Sequence, residues 1–275
     1  MPERKLKTHR RRVSSIEEFR TMAHELRVAF QSEGIALNPQ SGIAELIRAG
    51  EEISDTGIGD FLLGLHLERV YRAIVPLSGH SFRKQYLHKL KSGNLRFLNR
   101  VKSPARNHLF ELEVWRSLNN LKAKCADLDE PDVHVKLGNS DIGIACKKIY
   151  SENGVSKALS NAVKQIDNHC PGLGMVAFSI DDLFPEGESV GAGTIDEASN
   201  FLAGVCKDFL ISNEGNLKRY FRSGRIVGAL AFASTIVEAT RDSPKYSNMQ
   251  QMYFWTTPDL GQAAKKAQDE LKKLF

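Results

Sequence analysis

Apolar residues recur every three or four positions through most of residues 14 to 102, and the period then changes. "SSIEEFRTMAHELRVAFQ" predicts a helix with two overlapping capping boxes, Ser14 to Glu17 and Ser15 to Glu18. "SGIAELIRAGEEI", "GIGDFLLGLHLERVYRAIV" and "HSFRKQYLHKLKSG" predict three more helices, the last stopped at Gly93. Ser103 with Pro104 behind it opens a further helix, "SPARNHLFELEVWRSLNNLKAK". Short apolar runs then alternate with helical patterns. A hairpin is expected over 131 to 149, a helix at "VSKALSNAVKQIDNH", a buried strand at "GLGMVAFSI" and a helix at "DEASNFLAGVCKDFLI". "GRIVGALAFASTIVEA" has the β-branched and small residues of a central strand. "QQMYFWTT" suits an edge strand, and "DLGQAAKKAQDELKKLF" a closing amphipathic helix. The expected organisation is a disordered basic arm at 1–13, a helical region at 14–102, and an α/β domain built on one mixed sheet at 103–275.

The hairpin places chemistry. With Gly138-Asn139 as a two-residue turn, Leu137 pairs with Ser140 and Asp132 lies opposite Ala145; a turn of three or four residues moves Asp132 opposite Cys146 or Lys147, and each leaves it beside the end of the second strand. Asp141 is six residues before Lys147 on the same strand, about 20 Å away, and cannot share a site with it. Gly143, Ala145 and Lys147 share one face, which their small side chains leave open to approach. Ile142, Ile144 and Cys146 share the other, so the Cys146 thiol points away from Lys147. Lys148 has the opposite parity to Lys147 and is expected at the surface or in contact with backbone. His134 has the parity of Asp132 and is within reach of the same site, although a lone strand histidine more often has a structural role. On the preceding helix, Phe110, Val114, Leu118 and Leu121 form an apolar stripe widened by Trp115; Glu111 projects from inside it and Glu113 lies outside. A carboxylate on a buried helix face calls for a cation, a proton or a metal. Gln165 sits at the edge of the apolar face of the next helix.

Composition narrows the class. A hydrophobic fraction of 41% with 26% charged residues is that of a globular protein. No apolar run approaches the roughly 18 residues that cross a bilayer. The basic N-terminus leads into "SSIEEFR" rather than an apolar segment, which argues against a signal peptide and for the cytoplasm. Cys125, Cys146, Cys170 and Cys206 are too scattered for a zinc site and are expected as reduced thiols. Between Arg69 and Phe110 there are ten Lys and Arg and no Asp or Glu, interleaved with five aromatic residues. That pattern suits a polyanion, although a solvated basic face has the same composition. No GxxxxGK[ST] phosphate loop occurs, so an ATP-driven step would need a helicase- or ATPase-type partner docked on the helical half. A second copy of the chain is a further candidate partner.

"FELEVW", then "PDV", a short hairpin and "IACKK", followed by a helix and the strand "GMVAFSI", resembles the PD-(D/E)XK nuclease superfamily over residues 104 to 182. The resemblance implies a restriction-endonuclease-like mixed β-sheet flanked by helices and a Mg2+- or Mn2+-dependent phosphodiester hydrolase, with DNA favoured over RNA and defence or repair as the setting. Glu111 and Asp132 would then bind the metal, and Lys147 would position or activate the attacking water. Ala145 stands where the superfamily usually has Asp or Glu. The resemblance thus leaves two outcomes: Glu111 fills the vacancy, or the domain binds nucleic acid without cutting it. Arg83, Lys84, Lys89, Lys91, Arg96, Arg100, Lys102, Arg106 and Gln165 are the candidate nucleic-acid contacts.

Overall fold

The structure is a computed structural model that describes residues 14–54, 58–97, 101–122, 125–138, 140–170, 173–187, 189–257 and 262–275. The expected basic arm, Arg100 and Asn139 of the hairpin turn lie outside the described residues.

Four helices come first: α1 (Ile16–Ser32), α2 (Gly42–Glu52), α3 (Ile58–Ile74) and α4 (Arg83–Leu90). Of the two capping boxes, only that of Ser15 and Glu18 forms. The Ser14 hydroxyl instead donates to Glu68 Oε1 at 3.1 Å, tying the start of α1 to α3. α5 (Pro104–Leu121) begins at Ser103 with Pro104 in its first turn, as the sequence predicts.

The sheet follows, with β1 (Ala126–Asp127), β2 (Val133–Leu137), β3 (Ser140–Lys148), β4 (Gly174–Ser179), β5 (Val190–Ala192), β6 (Gly228–Ala239) and β7 (Tyr246–Trp255). Between them lie α6 (Val155–His169), α7 (Ile195–Ser212) and α8 (Glu214–Arg222), and α9 (Gln262–Leu274) comes last. β1, β2 and β3 pair antiparallel, β3, β4 and β6 parallel, and β7 runs antiparallel along the far edge of β6. The protein is therefore α/β with a mixed sheet. The sequence pattern did not predict β1, β5 or α8: two- and three-residue strands carry no period, and α8 continues from α7 after Asn213.

Alternation along β3 sorts the core into two layers. Ile142, Ile144 and Cys146 join Met175, Ala177, Leu230 and Phe232 under α5 and the N-terminal helices. Ala145 joins Val176, Phe178, Ala229 and Ala231 under α6 and α7. The first apolar cluster runs from Phe19 to Phe275, so the helical region and the sheet share one core across the boundary expected near Ser103. Among the described residues no helix is long and apolar enough to cross a membrane.

Candidate active site

The hairpin has the register that its two-residue turn dictates: Leu137 faces Ser140 and Val133 faces Ile144, with Gly138 at φ +58°, a backbone conformation glycine adopts without strain. β2 begins at Val133, whereas β3 runs on to Lys148. Beyond Ile144 the edge of β3 therefore needs another partner for its backbone, and Asp132 supplies it. Cys146 N donates to Asp132 Oδ2 at 2.7 Å. This fork is where the site forms.

Gln165 of α6 organises it. Its Oε1 accepts from Lys147 Nζ at 2.6 Å, and its Nε2 donates to Asp132 Oδ1 at 3.0 Å and to the Pro131 carbonyl. One amide thus holds both the lysine and the aspartate, which are 3.7 Å apart. Lys147 Nζ also donates to the Cys146 carbonyl at 3.1 Å.

Glu111 acts on the fork through its charge, from α5 on the other side of the sheet. Tyr86 OH donates to its Oε2 at 2.9 Å, and His108 Nδ1 lies 3.0 Å from Oε1. Tyr86 belongs to α4, so the N-terminal helices help aim this carboxylate. Burial, reinforced by the Glu111 charge, pushes the Tyr86 phenol well above its ordinary range and keeps it a donor. Burial and then Glu111 also push the Asp132 carboxyl up to about 6, against the opposing pull of Lys147, the Cys146 amide and Gln165.

Two carboxylates that repel one another beside a single lysine are relieved by a cation. Among the described residues no three His, Cys, Asp or Glu side chains converge as a ligand group. A cation here could draw on Asp132, Glu111 and the Cys146 carbonyl, an all-oxygen set of two carboxylates. This suits Mg2+, which keeps much of its water.

Several sequence expectations are corrected. The small residues of β3 leave no opening, because Ala145 is fully buried in the layer under α6 and a side chain at Gly143 would strike Cys170 and Pro131. Lys148 is not at the surface. Its side chain is 2% exposed, with Nζ 2.7 Å from Asp182 Oδ2 and 3.4 Å from Asp181 Oδ2. Glu113, placed outside the apolar stripe, is more deeply buried than Glu111 and receives two hydrogen bonds from Arg69 at 2.6 and 2.8 Å. Arg106 is no phosphate contact: it is 2% exposed, with Nη2 2.6 Å from Asp182 Oδ1. Arg83 is partly covered and paired with Glu33 at 3.0 Å, and Arg96 is paired with Glu45. Lys89 lies over the Tyr86 ring at 4.4 Å. Lys84, Lys91 and Lys102 are exposed, the last 5.6 Å over Tyr150, three residues beyond Lys147.

The buried cluster around Lys148 is not anticipated by the sequence pattern. It joins Lys148, Arg69 and Arg106 to Asp181, Asp182 and Glu113. β4 leaves the edge of β6 at Phe232 and β5 takes it up at Val237. In that gap Asp181 Oδ1 accepts from Ser234 N at 2.9 Å, and Arg69 donates to the Ser234 carbonyl at 3.3 Å. Burial alone would raise the Asp181 carboxyl, but Lys148 and Arg69 hold it well below the usual carboxylate range. The one local signal is "DD" directly after a fully apolar strand.

No protein family, curated protein or solved structure matches the chain.

Proposed function

We propose that the chain is a Mg2+- or Mn2+-dependent nuclease of the PD-(D/E)XK kind that hydrolyses phosphodiester bonds, DNA being the favoured substrate. The observation that carries this reading is the fork, where Asp132, Lys147 and Gln165 are bonded together beside the end of β3 and the charge of Glu111 on α5 acts on Asp132. Asp132 and Glu111 would hold the cation, which when bound supplies charge stabilisation at the phosphoryl and leaving oxygens. Lys147 orients the attacking water and favours its hydroxide-like form. Gln165 fixes the lysine against the aspartate, and Tyr86 and His108 fix Glu111. Exposed Lys84, Lys91 and Lys102 provide sequence-independent attraction to phosphates.

A second reading, nucleic-acid binding without cleavage, is favoured by one observation: Ala145 is fully buried and contributes no carboxylate from β3. Incubating the protein with supercoiled and linear DNA and with RNA, in Mg2+, Mn2+ or EDTA, separates the two. The nuclease reading expects cleavage that EDTA and Lys147→Ala both abolish. Retention of nucleic acid with no cleavage under any metal would replace it with the binding reading.

A further inference from the structure

Further down the same face of β3, four residues or about 13 Å from Lys147, three residues line up as nucleophile, base and orienting acid. Cys170 Sγ lies 3.2 Å from His134 Nε2, and His134 Nδ1 lies 2.9 Å from Asp141 Oδ1. The register explains the second contact. His134 faces Gly143, and Asp141 is its diagonal neighbour on the same sheet face. The first contact depends on Gly143, because a Cβ there would fall 2.6 Å from Cys170 Sγ and 2.7 Å from Pro131 Cδ. A glycine in mid-strand weakens the strand, and here it opens the space through which the thiol meets the imidazole. The tautomer follows from the carboxylate. Asp141 can only accept, so Nδ1 carries the proton and Nε2 presents its lone pair to the S–H group.

We propose that Cys170, with His134 as its base and Asp141 orienting that base, is a covalent reaction site for small uncharged electrophiles, hydroperoxides being the natural class. The thiol proton passes to His134 Nε2 as the sulfur electron pair attacks the terminal peroxide oxygen. The O–O bond breaks, an S–O bond forms, and the leaving hydroxide or alkoxide takes the proton back from His134. Sulfur is oxidised to a sulfenic acid while the peroxide is reduced to water or an alcohol, one molecule for one. This reaction is independent of metal and of the fork.

The surroundings select the reagent. Cys125, Cys146 and Cys206 are buried, whereas Cys170 is partly exposed. Burial, then Asp141 and Asp129, push the Cys170 thiol up, so the sulfur keeps its proton until a base removes it. Cys170 also caps the C-terminal end of α6, the negative end of the helix dipole. An anionic electrophile is repelled there and a neutral one is not.

The test is thiol labelling of the full-length protein at neutral pH with peptide mass mapping. Hydrogen peroxide followed by dimedone is expected to mark Cys170 ahead of the other three cysteines, and iodoacetamide to alkylate it first. His134→Gln and His134→Ala should each slow both reactions about a hundredfold or more, the lower end of what a positioned base contributes. In the wild type, the preference for iodoacetamide over iodoacetate should exceed that of free N-acetylcysteine, a comparison that needs no variant. The proposal is overturned if His134→Gln, folded by circular dichroism, reacts as fast as wild type. It is equally overturned if a buried cysteine is marked first, or if the reagent preference equals that of the free thiol.

Discussion

Lys147 and Lys148 are consecutive residues of one strand, and they end in opposite surroundings. Lys147 turns toward α6, is about one-fifth exposed, and shares the fork with Asp132 and the Gln165 amide, while the Glu111 charge acts on Asp132. Lys148 turns the other way and is sealed among Asp181, Asp182, Arg69, Arg106 and Glu113, where three cations meet three anions. The sealed cluster balances its own charge, so it calls for nothing further. The fork carries two acids against one lysine, and burial together with the Glu111 charge pushes its Asp132 carboxyl up. Charge balance thus separates a structural ion cluster from a site poised for a ligand.

The largest effects should divide along that line. Lys148→Ala leaves three buried carboxylates against two arginines and is expected to cost about 3–5 kcal/mol in urea or thermal unfolding. Lys147→Ala, at the more exposed pair, should cost under about 1 kcal/mol while removing metal-dependent cleavage by roughly 10²–10⁴-fold. Equal loss of stability in the two variants would erase the distinction.

Next comes Glu111, whose aim depends on Tyr86. Glu111→Gln should lower cleavage about as far as Lys147→Ala, and Tyr86→Phe about tenfold with the fold retained, because it removes one of two hydrogen bonds that position the carboxylate. An unchanged rate in Tyr86→Phe would detach the N-terminal helices from the site.

The two aspartates also part with pH. Asp132 keeps its proton in the fold up to about pH 6, against about 3.9 in the unfolded chain. Between those values the folded state binds more protons, so without metal its contribution to stability falls as pH rises, by at most roughly 2–3 kcal/mol. Asp181, held low, contributes stability that is present above its unfolded value and is lost as pH falls through its lower folded value. Subtracting an Asp132→Asn urea series from wild type between pH 4 and 6.5 should reveal the first slope, and saturating Mg2+ should remove it. A flat difference would mean that burial and the Glu111 charge do not raise the Asp132 carboxyl.

The smallest expected effect lies on the surface. Charge reversal at exposed Lys84, Lys91 and Lys102 should weaken nucleic-acid binding alike for all sequences. Every phosphate that goes unneutralised should make the salt slope shallower by about 0.9. Unchanged binding at low salt would leave these lysines as a solvated face.

What could be read from sequence follows from how local each feature is. The place of Asp132 beside Lys147 depends only on a two-residue turn and strand parity, and both hold. Parity also turned Lys148 away from Lys147, but its depth is set by Asp181, Asp182 and Arg69, which come from distant segments. The helix wheel failed at Glu113 because α5 is covered on two sides, by the sheet and by the N-terminal helices. Buried positions run almost continuously along it, and no outer face remains for a stripe to define. The same cover turned Arg106 from a surface cation into a core one. Gln165 was visible as a boundary residue, but its bonds to both Lys147 and Asp132 require α6 to lie across β3. The contact of Cys170 with His134 is made by the absence of a side chain at Gly143, which no local pattern announces.

Calorimetric titration of Mg2+ into the wild-type protein, Asp132→Asn and Glu111→Gln at neutral pH tests the fork most directly, since it needs no substrate. The expected result is saturable binding by wild type that weakens about 10–100-fold in each variant. Absence of binding by wild type, or equal binding by all three, would contradict the assignment of Asp132 and Glu111 as the metal-holding pair.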